Sequence, residues 1–198
     1  IGGLVGYMYV GNLTVNNSGS TGTIQGTGRV GGLLGFIDNA CTLTLKNTYA
    51  NGAVTGTNTS GQVGGLVGGI YGYAYIYGSN YSGAGVSSLG PNVGGLLGEN
   101  IYYDTTIYNS YVNSSGATGV QGTYYVGGMV GRSGSSLTVQ SNGTNVSAYG
   151  TALSPYSNAK VTGTAATSGP NAYVGGIVGY VNAYSTVSNV SVTGSSIS

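Results

Sequence analysis

A six-residue apolar segment that is half glycine recurs along the chain, and it constrains the fold more than any other feature. Its six copies lie 29, 33, 30, 33 and 48 residues apart. Self-similarity with a period of about 30 residues is typical of solenoids, in which each repeat packs on its neighbours. The copies begin at Ile1, Val30, Val63, Val93, Val126 and Val174, and read IGGLVG, VGGLLG, VGGLVG, VGGLLG, VGGMVG and VGGIVG.

A second apolar stretch follows each copy and shows the alternation of a half-buried strand. In the second repeat Cys41, Leu43 and Leu45 fall on one face, and polar residues separate them. A third short stretch, such as residues 53–55, follows a corner of Asn and Gly. We therefore expect two to three short strands per repeat, separated by turns. Cys41, the single cysteine, is expected to be a small buried hydrophobe.

The glycine-rich segment imitates one face of a helix, because its apolar positions are three and four residues apart. Three glycines in six residues argue against a helix, since each costs about 1 kcal/mol relative to alanine. A strand with a bulge at the glycine pair explains the pattern better, because glycine permits the bulge and a close backbone approach. Leu66 and Val67 should then point to opposite faces, with one of them in the core. The next position is expected in an exposed turn; it holds Tyr7, Phe36, Gly69, Glu99, Arg132 and Tyr180.

These features predict an all-β fold: a β-solenoid (β-helix) of about six turns, three-sided, with residues 1–198 as a single domain. Stacking places equivalent residues above one another, so a charge repeated in every turn would repel itself. The chain meets this requirement with only four Lys or Arg and three Asp or Glu. The longest interval is the exception, and residues 141–171 are expected to form an extra partial turn or a projecting loop.

The scarcity of reactive side chains also excludes most kinds of chemistry. Histidine, the commonest general base and metal ligand, is absent. Glu99 and Asp104, two of the three carboxylates, are expected to be solvated turn residues. Four basic side chains are too few for a run of phosphates, which excludes nucleic acid as a partner. We predict no enzyme activity, no cofactor and no metal site, and no membrane span because no apolar run approaches 18 residues.

The arrangement of each repeat resembles a known family. The glycine-rich segment is followed by N-S/T-Y, as at 47–49 and 109–111, and then by G-x-V. This order resembles the GLUG motif, and the resemblance covers nearly the whole chain. GLUG repeats occur in tandem in large secreted bacterial surface proteins, including adhesins and some surface-protease precursors. The resemblance implies an extracellular or cell-surface scaffold built as a β-solenoid.

The repeat reaches both ends of the sequence without a polar cap. Ile1 already stands in the glycine-rich segment, and residues 192–198 would lead directly into another copy. Uncapped strand edges invite pairing with another chain. The main expectation is therefore stacking of the chain on itself, head to tail, as the subunit of a filament, or a place in the stalk of a cell-surface adhesin. An ordered stretch of a longer repeat protein fits equally well.

Nineteen tyrosines suggest a contact surface. Alternation from Tyr71 to Tyr77 should place four rings on one face of a strand. An outward tyrosine ladder that stabilises the sheet is one interpretation. The alternative is a module that binds glycans or host or cell surfaces, because tyrosine brings contact area and a hydroxyl at low entropic cost. The candidate contact face comprises Tyr71, Tyr73, Tyr75, Tyr77, Tyr102 and Tyr103.

Threonine and asparagine patterns raise two further possibilities. Thr-x-Thr pairs suggest ice binding, the least favoured function, but their phases relative to the glycine pair differ, so no single threonine ladder is expected. Eight N-x-S/T sequons are candidate glycosylation sites, although asparagine also suits solenoid corners, where it tolerates the left-handed conformation. The sequons begin at Asn12, Asn16, Asn58, Asn80, Asn113, Asn142, Asn145 and Asn189.

Overall fold

A computed structural model shows a stack of parallel strands and, within the part of the chain that it describes, no helix. Paired residues lie about one repeat apart, as Val30 with Val63 and Val63 with Val93. The chain is therefore a β-solenoid, which confirms the predicted fold class. None of the described segments forms a helix long and apolar enough to cross a membrane. The structure describes residues 1–114, 116–141, 156–157, 159–164, 172–193 and 196–198.

The chain passes through four sheets in the same order in each turn. The first sheet contains β4 (Arg29–Gly31), β8 (Gln62–Gly64), β13 (Asn92–Gly94), β18 (Tyr125–Gly127) and β23 (Tyr173–Gly175). The second contains β1 (Val5–Asn16), β5 (Leu34–Lys46), β9 (Val67–Ile70), β10 (Tyr73–Tyr77), β14 (Leu97–Asn100), β15 (Thr105–Tyr108), β19 (Val130–Ser133), β20 (Leu137–Gln140), β24 (Val178–Val181) and β25 (Ser185–Ser188).

The two remaining sheets are built from strands of two to four residues. The third contains β2 (Gly19–Ser20), β6 (Tyr49–Ala50), β11 (Asn80–Tyr81), β16 (Tyr111–Val112), β21 (Tyr156–Ser157) and β26 (Ser191–Val192). The fourth contains β3 (Ile24–Gly26), β7 (Val54–Gly56), β12 (Gly85–Ser88), β17 (Gly119–Gly122) and β22 (Val161–Gly163). Turns 1 to 6 are therefore β1–β3, β4–β7, β8–β12, β13–β17, β18–β22 and β23–β26.

Turns 2 to 5 are complete, since each places a strand in every sheet. In turns 1 and 6 an isolated bridge replaces one strand, between Gly2 and Gly31 and between Val161 and Ile197. The described residues thus form about four complete turns and two partial ones, where the sequence predicts about six. A complete turn has four or five strands in four sheets, rather than the expected two to three strands on three sides.

The second sheet consists of two ladders of strands, and the two ladders are joined at the long strand β5. Leu34 and Ile37 of β5 pair with β9, whereas residues 42–46 of the same strand pair with β10. From turn 3 onwards a short corner separates the two strands of each turn. This corner is where the chain places Tyr71, and later Tyr102 and Tyr103.

The glycine-rich segment forms a bend between two sheets and not a bulged strand. In turn 3 the chain leaves the first sheet after Gly64 and enters the second at Val67. Leu66, in the bend, and Val67 are both fully buried. The expected bulge, and the expected opposite faces for Leu66 and Val67, are therefore wrong. Because the chain changes direction between them, neighbouring residues can both enter the core.

Close approach of backbones explains the three glycines of the segment. A Cβ on Gly64 would lie 2.0 Å from the carbonyl oxygen of Val67, and one on Gly65 would lie 2.0 Å from that of Gly95 in the next turn. A Cβ on Gly68 would lie 2.7 Å from the backbone nitrogen of Val30 in the preceding turn. Any other residue would force the backbones apart, so the expected close approach is confirmed.

Asparagine occupies the corner between the second and third sheets, as expected. Asn17, Asn47, Asn109 and Asn189 have φ of 48°, 51°, 47° and 53°, and Gly78 has φ of 56° at the equivalent place in turn 3. The left-handed conformation is costly for most L-residues but is tolerated by asparagine and glycine. These residues therefore turn the chain at the same point in successive turns.

Two further expectations meet different outcomes. Cys41 is buried in the core, which confirms its predicted role as a small hydrophobe. Of residues 141–171, the described strands β21 and β22 pair in the regular ladders with β16 and β17. The rest of the expected partial turn or loop lies outside the described residues, apart from single residues beside these strands.

Candidate contact surface

The predicted tyrosine alternation holds within β10. Tyr73, Tyr75 and Tyr77 lie on its outer face, and the side chains between them are fully buried. Tyr71 does not belong to this row, because the chain bends at residues 71–72 before β10 begins. Three of the four rings therefore share one strand face, and the fourth joins a different set of rings.

Ring contacts across turns give the outer face of the second sheet a ladder character. Tyr77 and Tyr108 stack with centroids 5.6 Å apart and planes 7° apart. Within β10, Tyr75 and Tyr77 have centroids 6.3 Å apart and planes 9° apart. Gln140 Nε2 in turn 5 donates a hydrogen bond of 2.5 Å to the Tyr108 hydroxyl. Such cross-strand pairs stabilise the sheet.

A second series of rings follows the corner of the second sheet. Tyr7 and Phe36 stack at 5.5 Å, Phe36 meets Tyr71 edge-on at 4.8 Å, and Tyr71 meets Tyr102 at 5.1 Å. Tyr73 contacts Tyr103 at 4.7 Å beside this series. The rings extend along the solenoid axis from turn 1 to turn 4, and Tyr102 is 61% exposed. We call this set the aromatic ridge: Tyr7, Phe36, Tyr71, Tyr73, Tyr102 and Tyr103.

Beside the aromatic ridge lies a hydrogen-bonded column of polar side chains from four turns. Arg29 Nε donates to Gln62 Oε1 at 2.6 Å, and Gln62 Nε2 donates to Glu99 Oε2 at 2.5 Å. Arg132 Nη1 donates to Glu99 Oε1 and forms an ion pair with it. Glu99 is only 1% exposed, so its charge is compensated by neighbours and not by water. We call these four residues the polar column.

The polar column corrects two expectations. The position after the glycine-rich segment is not an exposed turn, because it lies within the second sheet, where Phe36, Gly69 and Glu99 are buried. Glu99 is therefore not a solvated turn residue, whereas Asp104 is exposed as expected. Gly69 makes room for the column, since a Cβ there would lie 3.0 Å from Gln62 Oε1.

Arg29 joins the polar column to the aromatic ridge. Its guanidinium lies 3.8 Å from the centroid of Phe36 and 4.9 Å from that of Tyr71. It also donates from Nη2 to the Tyr71 hydroxyl at 2.8 Å. Cation–π contact and planar hydrogen bonding are both properties of arginine. The sequence holds a signal that could have found this network: complementary polar residues flank the glycine-rich segment in successive repeats.

At the turn-1 end of the aromatic ridge, Tyr7 donates a hydrogen bond to Asp38 Oδ2. This bond raises the pKa of Tyr7 to about 12, because the bonded proton is harder to remove and the neighbouring carboxylate opposes a second negative charge. The same bond lowers the pKa of Asp38, helped by the backbone N–H of Asn39. The pair keeps a tyrosine neutral and a carboxylate charged at the exposed edge of the ridge.

Comparison with known families bears on the last turn. Residues 170–198 match the GLUG motif. This stretch contains the glycine-rich segment at Val174, which recurs in every turn, and the left-handed corner at Asn189, which recurs in turns 1 to 4. The resemblance predicted from the sequence is thus confirmed for this part of the chain. No curated protein and no solved structure matches the chain.

A threonine column on the outer face of the second sheet extends into the GLUG turn. Its members stand in register in every turn except turn 3, where Tyr75 takes the place. The Thr-x-Thr pairs form no single ladder, as expected, because Thr42 and Thr44 lie in the second sheet whereas Thr55 and Thr162 lie in the fourth. The threonine column follows the register of the second apolar stretch. Tyr75 interrupts the surface that ice binding would need. The column contains Thr14, Thr44, Thr106, Thr138 and Thr186.

The sequons differ in accessibility, and the GLUG turn carries one of them. Asn80 is half-buried in β11 and accepts a 2.7 Å hydrogen bond from Ser82 Oγ. Asn142 and Asn145 lie outside the described residues. The exposed candidates are Asn12, Asn16, Asn58, Asn113 and Asn189.

Within the described ranges, no three potential metal-ligating side chains lie together.

Proposed function

We propose that this protein is an extracellular structural repeat protein whose turns stack on one another in a filament or in the stalk of a cell-surface adhesin. The observation that carries the proposal is the agreement between the residue columns at the two ends of the stack. Following the register from turn 1 to turn 6, several columns begin and end with the same residue type, although the column of Leu13 ends at Ser185.

The agreement between the ends covers the outer face and the corner. Tyr7 begins a column that ends at Tyr180, and Thr14 begins one that ends at Thr186. Asn17 and Asn189 have the same left-handed conformation at the same corner. If turn 6 of one stack packed on turn 1 of another, each of these columns would have the same residue type on both sides of the junction.

Two interior columns of the second sheet agree as well, and both end faces expose apolar side chains. Val5 and Val178 share a column, as do Val15 and Val187. Covering such side chains stabilises by about 25 cal/mol per Å² of apolar surface. The unpaired strand edges at both ends offer backbone hydrogen bonds to the same occupant. The exposed apolar residues at the two ends include Ile1, Leu4, Val10, Val181, Val187, Val192 and Ile197.

The occupant of each end face is therefore another turn of the same kind, from a second copy or from the same chain. The extracellular placement rests on the resemblance to GLUG repeats, which occur in secreted surface proteins, and residues 170–198 match that motif. A scaffold role needs no catalytic group, which agrees with the absence of histidine and the scarcity of carboxylates.

The test is concentration-dependent assembly of the purified chain, followed by light scattering and electron microscopy. We expect rods that lengthen with concentration and a repeat of about 4.8 Å along their axis. Val187→Lys should abolish them by placing a charge in the joint. Thr186→Lys, the neighbouring residue on the outer face, is the matched control and should still assemble. A monodisperse monomer at every concentration would contradict the filament. The stalk would then remain as the proposed role, because there the covering turns come from the same chain.

A second function, binding of glycans or of a cell surface, is favoured by the aromatic ridge. Tyr102 and Tyr103 project from a corner beside the exposed carboxylate Asp104, and aromatic rings with nearby acceptors suit stacking on sugars. A glycan array with the double variant Tyr102→Ala/Tyr103→Ala tests this function. Tyr184→Ala, which removes a 95% exposed ring outside the ridge, is the control. Binding unaffected by the double variant would contradict the ridge as the site.

A further inference from the structure

One corner of the solenoid interior is polar where the neighbouring turn is apolar. Asn100, the last residue of β14, is 0% exposed, and Thr105, the first residue of β15, is 1% exposed. In turn 3 the same two columns hold Ile70 and Ala74. In turn 5 Ser133 stands beside Asn100 in register and is also fully buried. The core therefore changes from apolar to polar side chains between turns 3 and 4.

The polar atoms of this corner lack protein partners. Asn100 Oδ1, Asn100 Nδ2 and Thr105 Oγ1 make no hydrogen bond with any residue in the described ranges. Ser133 Oγ instead donates to the Ser135 carbonyl at 2.6 Å. A buried polar group left without a partner costs about 1–3 kcal/mol of stability, so three such atoms would strongly destabilise the folded state. Native proteins satisfy buried polar groups with a partner.

We propose that the interior corner formed by Asn100, Thr105 and Ser133 binds ordered water. The asparagine amide offers two donors and an acceptor, and the threonine hydroxyl offers a donor and an acceptor. A buried water makes about three hydrogen bonds to groups of this kind. The three side chains are uncharged, so they match a neutral ligand and not a cation, which favours carboxylates.

The size of the side chains agrees with this assignment. Asparagine replaces the isoleucine of turn 3, and the equivalent position in turn 5 is serine, which is smaller than either. Along this column the side chains therefore become smaller at the point where unpaired donors and acceptors appear, whereas in the neighbouring column Thr105 is followed by Leu137. A site that is both polar and roomy is where buried water is found.

The decisive measurement is a structure at a resolution that shows waters, supported by water–amide cross-relaxation in solution NMR. We expect density within hydrogen-bond distance of Asn100 Nδ2 or Oδ1, and a cross-peak between water and the Asn100 side-chain amide. Direct bonding of the Asn100 amide to protein groups, or a dry corner without a cross-peak, would overturn the proposal.

Two variants assign the signal to this corner. Asn100→Ile/Thr105→Ala transplants the pair found in turn 3 and should remove the buried-water signal completely. Ser110→Ala is the control, because Ser110 is a buried hydroxyl of the same turn whose Oγ is already bonded to the Tyr108 carbonyl at 2.8 Å. The signal should persist in that variant. A signal that survives the double variant would place the water elsewhere and overturn the assignment.

Discussion

The glycine-rich bend and the polar column lie close together in each turn, yet they follow opposite rules. In the bend, the same glycines recur in turn after turn because the backbones of neighbouring turns touch there. In the polar column, Arg29, Gln62, Glu99 and Arg132 come from successive turns, and no two neighbours are alike. Where the backbones of two turns touch, only glycine fits. Where side chains of two turns touch, neighbouring residues must be of different types so that opposite charges and hydrogen-bonding groups can pair.

This difference gives the polar column a role that the glycine-rich bends cannot have. The bends are nearly identical, so they would accept a neighbour shifted by one turn. Among the described residues, Glu99 is compensated by Gln62 below it and Arg132 above it. A shift by one turn would separate the buried carboxylate from its partners, which is costly. The column therefore favours the correct order of turns.

The largest effect is expected from alanine at a repeat glycine. A Cβ on Gly68 would lie 2.5 Å from the carbonyl oxygen of Gly35, so Gly68→Ala should lower the free energy of unfolding by about 3 kcal/mol or more. Gly6 stands at the same place in the first repeat but has no atom within 4 Å of its Cβ position. Gly6→Ala should be neutral or slightly stabilising in denaturant titrations. Equal effects of the two variants would refute backbone contact as the reason for the glycines.

The next largest effect is expected in the pH dependence of the free energy of unfolding. Its source is Tyr81, whose ring packs against Gly65 on the inner side of the bend. Burial raises the pKa of Tyr81 to about 12, so the folded state holds the phenolic proton more tightly than the unfolded chain. This stabilisation is fully present below about pH 10 and is lost as the pH rises towards 12. The loss should reach roughly 3 kcal/mol at about 1.4 kcal/mol per pH unit.

Tyr81→Phe separates this dependence from that of the other tyrosines. We expect the difference in unfolding free energy between wild type and variant to fall between pH 10 and 12 and to be constant between pH 6 and 9. A difference that stays constant up to pH 12 would show that the Tyr81 hydroxyl, which donates to the Gly85 carbonyl at 2.6 Å, has the same pKa in the folded and unfolded states.

In the polar column, Glu99→Ala should cost about 2 kcal/mol, because it leaves Arg132 and Gln62 without their shared acceptor. Asp104→Ala removes an exposed carboxylate of the same turn and should change stability by less than about 0.5 kcal/mol. Thermal unfolding of the two variants side by side provides the comparison. Equal costs would mean that the column contributes no more than a surface charge.

The smallest effect is expected at the start of the polar column. Arg29→Lys keeps the charge but removes the planar contact with Phe36 and the paired donation to Gln62 and Tyr71. We expect a loss of about 1 kcal/mol in urea titrations. Arg29→Gln, which also removes the charge, should cost no more than the lysine variant if planar contact dominates over charge.

Several parts of the structure could be predicted from single residues and their local pattern. The alternation around Cys41 predicted a buried strand face, and the asparagines predicted the left-handed corners. The bend at Leu66 could not be predicted, because two adjacent buried residues conflict with a strand unless the chain changes sheets between them. The burial of Glu99 was missed for a similar reason: its compensation comes from residues in two other turns.

A stacked all-β chain follows from local sequence, because the repeat period, the alternation and the conformational preferences of glycine and asparagine act within one turn. Which residues of different turns meet depends instead on the pairing of the strands in three dimensions. Repeats of 29 to 48 residues follow paths of unequal length, so linear spacing does not give the register. The threonine column and the hydrogen bonds from Arg29 through Gln62 to Glu99 exist because strand pairing fixes that register.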